Sequence, residues 1–362
     1  MMRIAKFVFT CCIMTLVVLA EDKEKDYYFY KPELDYGSEA LFNPVSLIIN
    51  CSFDILRNGY GSRDVRLIQF NNGFRNVNRI LWHADEVIAE YNELGEYNFW
   101  RDQVFPIGHE LKAMGWWPNY KLHLIGEGMI CRKLSEWYDY HGVSWPYFWA
   151  VVNTAAFQYL NEVVENGPIK YNSVDPIADL LIFNPLGWAL FAINPVSRFF
   201  SQTLNLDFWQ PQPVYNPANG VLSNAGEQFI GRINIPGVKR YQVFYSFGID
   251  GVGGLTYKSP TGNNYSFGVG LRANRLKESV LSGQRIVYPE LEPHFAFFVD
   301  RKESLLLSIT QTSVKEMNLI INCYPGLAFN RHWGFYFAVY SFLGPHFGIT
   351  YINSPLGLFL GR

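Results

Sequence analysis

His123 and Glu127 stand four residues apart, a spacing that puts both on one face of a helix. The spacing recurs at Arg132 and Glu136, and again at Asp175 and Asp179, with Ser173 ahead of that last pair and Asn184 behind it. The run Asn161-Glu162-Val163-Val164-Glu165 closes an otherwise apolar stretch. One imidazole and several carboxyls gathered in apolar surroundings acquire shifted pKa values and suit general acid–base catalysis. The candidate catalytic set is therefore His123, Glu127, Glu162, Asp175 and Asp179. In it His123 acts as base or ligand, Glu162 and Asp179 as acid, base or ligand, and Glu127 as orienter. The same donors suit a divalent metal, so metal content stays open. No residues call for a cofactor. The competing reading is structural: surface pairs on helices, Asp175 as a cap, Glu162 and Glu165 at a solvated helix end, or hydrogen bonds that tie helices together.

The elements that must carry these residues read as helical from Ser62 to about residue 202. Apolar residues from Leu67 to Tyr91 recur near the 3.6-residue period. A helix is expected from Asn119 to Tyr140, following Pro118, and another from Pro146 to Glu165. A fourth begins at Asp175-Pro176, with Asp175 as N-cap and Pro176 at N1. Breaks at Asn184-Pro185 and Asn194-Pro195 leave no uninterrupted run of the roughly 20 apolar residues that a spanning helix needs.

Residues 120–190 resemble a small helical module of VanZ-like proteins and of uncharacterised exported bacterial envelope families. The resemblance rests on His123-x-x-Gly126-x-Gly128, Glu136-Trp137-Tyr138, Asn161-Glu162-x-x-Glu165, Ser173-x-Asp175-x-x-Ala178-Asp179 and Asn184-x-x-Gly187. It implies a membrane-associated helical module with no established reaction. The Pro breaks and the strand-rich second half depart from the membrane-spanning members and favour the exported families.

Residues 1–20 read as a signal peptide: a basic start at Arg3 and Lys6, an apolar run from Phe7, and Val18-Leu19-Ala20 before a charged block. Cleavage after Ala20 leaves 28 basic against 32 acidic residues, a net charge of −4. No basic patch offers itself to nucleic acid. Residues 21–61 read as irregular. Cys51, Cys131 and Cys323 are too few and too widely spaced for a disulfide framework or a zinc site, and are expected as core or lipid-facing residues. Aromatic residues make up 17% of the chain, and aromatics concentrate where one side is apolar and the other wet.

After the Pro-, Asn- and Gly-rich segment 203–226, read as a linker, the period becomes two. Tyr241, Val243, Tyr245 and Phe247 alternate with small or polar residues, as do Phe267, Val269 and Leu271. Turn signals separate further candidates such as SLLLSITQT and WGFYFAVYSF. The pattern matches a transmembrane β-barrel of about eight strands over 227–362, with Arg232, Asp250 and Arg272 facing inward. His294, His332 and His346 fall at strand or turn positions with no partner to name.

The expected fold class is α+β: an N-terminal helical, membrane-associated domain and a C-terminal antiparallel β-barrel. The expected function is that of an exported envelope protein with a structural or binding role, in the outer membrane of a Gram-negative bacterium. Its partners would be membrane lipids. The alternatives are an envelope lipid or glycan-lipid hydrolase or transferase built on the His/Glu/Asp set, and a polytopic inner-membrane protein.

Overall fold

The computed structural model describes residues 27–58, 64–91, 95–107, 115–168, 173–248, 250–281, 284–313, 318–327, 331–340 and 344–361, without the side chains of 274–281 and 284–289. The signal-peptide reading of 1–20 lies outside these residues. The chain divides into two compact units. One comprises Met1–Phe29, Gln69–Arg198 and Lys277–Tyr288, and the other Tyr30–Ile68, Phe199–Leu276 and Pro289–Arg362.

In the sheet unit a first helix, α1 (Pro44–Ser52), starts on Asn43. The Asn43 side-chain oxygen accepts from the Val45 and Ser46 N–H groups, and Pro44 occupies N1. The helical unit contains α2 (Phe70–Trp82), α3 (Ala84–Ala89), α4 (Glu127–Tyr140), α5 (Pro146–Asn166), α6 (Asp175–Ala178) and α7 (Asn184–Phe191). The helical run expected over Leu67 to Tyr91 is broken, with a 3₁₀ turn over Val65–Leu67 at its start and an interruption at His83. Asp175 is the first residue of α6 rather than its cap; Val174 takes the cap position. Four of the described segments are π-helical, among them Asn119–Gly126 leading into α4 and Asp179–Phe183 between α6 and α7.

Buried Ile80, Val87, Ile88, Phe99, Ile177 and Phe183 form the apolar core of this unit. Glycines set its tightest contacts. A Cβ on Gly128 would lie 2.7 Å from the Gly187 carbonyl oxygen, and one on Gly187 would lie 2.5 Å from that of Leu124. Backbone meets backbone there, which leaves room for glycine alone. Among the described residues no single helix is long and apolar enough to cross a membrane.

The sheet has thirteen strands rather than about eight, in the order β1-β4-β5-β6-β7-β8-β9-β10-β11-β12-β13-β2-β3. They are β1 (Asp207–Phe208), β2 (Val214–Asn216), β3 (Val221–Ser223), β4 (Gln228–Asn234), β5 (Tyr241–Gly248), β6 (Asp250–Lys258), β7 (Asn263–Leu281) and β8 (Gln284–Arg301). Then follow β9 (Ser304–Thr312), β10 (Asn318–Cys323), β11 (Trp333–Tyr340), β12 (Gly344–Tyr351) and β13 (Gly357–Leu360).

Hydrogen bonds do not close the sheet into a barrel, and β1 and β3 are its ends. It is also mixed rather than purely antiparallel, because β13 pairs with β2 in parallel. Segment 203–226, expected as a linker, supplies β1, β2 and β3 and buries Trp209 completely. The N-terminal stretch also joins this unit: the Gly37 and Ser38 N–H groups donate to the Pro325 and Leu305 carbonyls. Cys51 and Cys131 are buried and Cys323 is half-buried.

Candidate functional site

Four of the five sequence candidates converge in the helical unit. His123 sits in the π segment Asn119–Gly126 and Asp179 opens the π segment Asp179–Phe183. A π segment inserts an extra residue into a helical turn and re-aims the side chains around it, and such segments are frequent at functional sites. Asp179 Oδ2 lies 3.4 Å from His123 Nε2. On the other side of the ring, Nδ1 is 3.2 Å from Asn184 Oδ1. Glu162, from α5, hydrogen-bonds Asp179, and Asn166 donates to Glu162 Oε2 at 3.0 Å. Ser173 Oγ donates to Asp175 Oδ2 at 3.3 Å, and the charge of Asp175 acts on both Glu162 and Asp179.

These contacts fix where protons must sit. Asn184 Oδ1 is an acceptor, so the ring proton is on Nδ1 and donates to it. Nε2 then presents its lone pair to Asp179, and that contact is attractive when Asp179 is protonated. The electrostatics agree. Burial is the leading cause that drives His123 down to about 4. Burial, together with the charge of neighbouring carboxyls, pushes Glu162 and Asp179 well above the usual carboxylate range. Asp175 is also raised, mainly by burial. The result is a chain of shared protons, Glu162–Asp179–His123–Asn184, buried at its inner end and 16% exposed at the imidazole.

Two further polar atoms of the cluster lack a hydrogen-bond partner among the described residues. Asp179 Oδ1 and Asn184 Nδ2 are buried and make no hydrogen bond. Such groups cost about 1–3 kcal/mol each when unsatisfied, and a ligand or water reaching His123 would meet both.

Glu127 is fully buried one step further along, where its charge is felt by the Cys131 thiol. The side chains that flank the His123 ring are Asn184 and Asp179. Arg132 and Glu136 pair at 2.9 Å, but in the interior rather than on a helix surface. Among the described residues no group of three or more His, Cys, Asp or Glu side chains is arranged to hold a metal ion.

The proton chain makes stability depend on pH in two opposed ways. Glu162 and Asp179 are raised in the fold, so alkali deprotonates the unfolded chain first and stability falls as pH rises above about 4 to 5. His123 is lowered from 6.5 to about 4, so acid protonates the unfolded chain first and stability falls as pH drops through that window. Gln mimics a protonated Glu. Glu162→Gln should therefore raise the urea midpoint at pH 9, read by tryptophan fluorescence, and change it little at pH 5.

No protein-family model, curated protein or solved structure matches this chain.

Proposed function

We propose that this chain is an exported envelope protein whose sheet unit is embedded in the outer membrane of a Gram-negative bacterium, in contact with lipid. The observation that carries this reading is the distribution of side chains over the two faces of the sheet. Phe267, Val269, Leu271, Phe347 and Ile349 point outward, and Phe267 and Phe347 are 60% and 62% exposed. Alternating with them, Gln242, Thr256, Ser266, Arg272, His294 and Thr350 are buried on the inner face. A sheet that faces water does the reverse, placing polar residues outside. The inner face also holds apolar Phe244, Phe298 and Tyr336, and what supports the lipid reading is the apolar outer face, which a bilayer favours and water does not.

Two outward aromatic rows reinforce the reading. Tyr241, Tyr257 and Tyr265 align across β5, β6 and β7, and Trp333 pairs with Tyr351 across β11 and β12. Rings of this type collect at the boundary between headgroups and hydrocarbon. Inside, buried Arg232 pairs with Asp300, whose other oxygen accepts from Asn264, so the buried charge is balanced.

A second reading has its own observation. The Glu162–Asp179–His123 chain, with unsatisfied atoms beside a partly exposed imidazole, supports an acid–base role on an envelope lipid or glycan-lipid. His123 would exchange the proton with substrate, and Glu162 and Asp179 would store it.

One experiment addresses both. The protein should stay in the outer-membrane fraction through a carbonate wash and migrate differently on gels before and after boiling. Release as a soluble protein would overturn the membrane reading. His123→Ala should fractionate normally yet fail to complement a deletion strain, and full complementation would remove the acid–base role.

A further inference from the structure

The turn between α4 and α5 leads into an aromatic cluster on the surface of the helical unit. Trp145, the residue before α5, takes a left-handed backbone conformation (φ 58°) and holds its indole 77% exposed. A bulky side chain seldom adopts that region, and such strain persists only where the surrounding structure imposes it. The Trp145 ring meets Phe148 edge-on at 6.4 Å, and Phe148 meets Trp149 in the same manner at 5.2 Å. Val152 continues the row along the helix, and Phe148, Trp149 and Val152 are each 41–45% exposed. On the opposite side of α5, Tyr147, Ala150 and Thr154 are buried.

A helix face turned to water carries polar residues. This one does not: no Asp, Glu, Lys or Arg occurs from His141 to Asn161, so the tip can leave water without desolvating a fixed charge. Area and side-chain type then choose the occupant. At about 150–250 Å² per aromatic side chain, the exposed parts of this cluster offer roughly 400 Å². A stable contact between proteins takes about 800 Å² from each partner, bounded by a polar rim. The cluster is half that size, and the stretch that carries it supplies no charge to a rim. A bilayer surface asks for neither. It accepts Trp rings at headgroup level and apolar neighbours just below them.

We propose that the α4–α5 turn and the first turns of α5 dock into the headgroup layer of a phospholipid bilayer. Trp145 and Trp149 are the anchors, and Phe148 and Val152 reach the upper ends of the acyl chains. The strained backbone at Trp145 presents the most exposed of these rings to the bilayer. The contact is interfacial rather than spanning, and it needs no long apolar helix. It belongs to the helical unit, so it goes beyond the lipid-facing sheet and does not rest on it.

The test places the full chain, labelled with 5-fluorotryptophan, in phosphatidylcholine nanodiscs and reads it by fluorine NMR. The lines of Trp145 and Trp149 are those missing from Trp145→Phe and Trp149→Phe, substitutions that keep an aromatic ring at each position. Broadening is compared between a lipid carrying a nitroxide at the top of its acyl chain and a gadolinium chelate dissolved in water. The expected result is that the lipid nitroxide broadens both lines at least twofold more than the chelate does. A smaller ratio overturns the proposal, and so do lines that neither agent broadens, the result that a covering protein would give. Gel migration of the same samples before and after boiling reports the sheet separately. Heat-modifiable chain whose two lines respond to the chelate would remove this contact and leave the sheet reading standing. The converse result would retain this contact and remove the sheet from lipid.

Discussion

Val269→Arg should prevent stable insertion of the sheet unit. Val269 lies within the outward apolar row of β7, between Phe267 and Leu271. An arginine facing lipid near the bilayer midplane costs about 2–4 kcal/mol, a shift of roughly 30- to 1,000-fold in the folded, inserted population. In water the same change would be nearly neutral or would improve solubility, because position 269 is already exposed. The sign of the effect therefore separates the two environments. The expected outcome in cells is loss of the heat-modifiable band and accumulation of degraded or aggregated chain. A variant as abundant and as heat-modifiable as wild type would remove the lipid from contact with this face.

Glu136→Ala should be the most damaging single change in the helical unit. Glu136 is buried, pairs with Arg132, and accepts the backbone N–H groups of Tyr28 and Phe29 at 3.0 and 2.8 Å. Its removal strands a largely buried guanidinium and two amide donors together. Breaking a buried ion pair from one side costs about 3–5 kcal/mol, with the orphaned N–H groups adding to it. Arg132 also stacks over the Tyr28 ring, at 5.0 Å, and donates to Asn194. The expected result is a large drop in the urea midpoint of the tryptophan signal. Arg132→Met, which keeps apolar volume but loses charge, should also lower the midpoint, since it leaves the buried carboxylate without the Arg132 counter-charge.

Much of the helical unit is legible in sequence because its signals are local. Pro146 marks the start of α5, and the apolar spacing from Asn119 to Tyr140 marks one continuous helical segment. The π turns have no such signature. They depend on how helices pack, and they decide the site. In an unbroken α-helix, His123 and Glu127 would share a face, which is why Glu127 read as the partner of His123. The π segment ending at Gly126 re-aims His123, and the ring meets Asn184 and Asp179 instead. Asn184 stood beside the Asp175–Asp179 pair in the sequence, but its Asn-Pro context reads first as a helix break.

The sheet follows the same division between local and remote information. The period-two alternation of β5, β7, β9 and β11 is visible within each strand. β1, β2 and β3 are two or three residues long amid Pro, Gln and Asn, and they are strands only because β4 and β13 pair with them from elsewhere in the chain. The buried hydrogen bond between His294 and Thr312 was illegible for the same cause: register across β8 and β9, rather than spacing along the chain, brings them together.

The parallel pairing of β13 with β2 carries an implication for how the chain is made. Leu358 aligns with Tyr215, far upstream. β2 therefore waits for this neighbour until β13 has been synthesised. Contacts so distant in sequence require a long loop to close before they return any stabilisation, and they form slowly. Until that moment the alternating strands present aromatic, apolar edges that associate readily with other chains. Deleting β13 should therefore leave β2 without its parallel neighbour and raise the share of aggregated chain, read by sedimentation after expression.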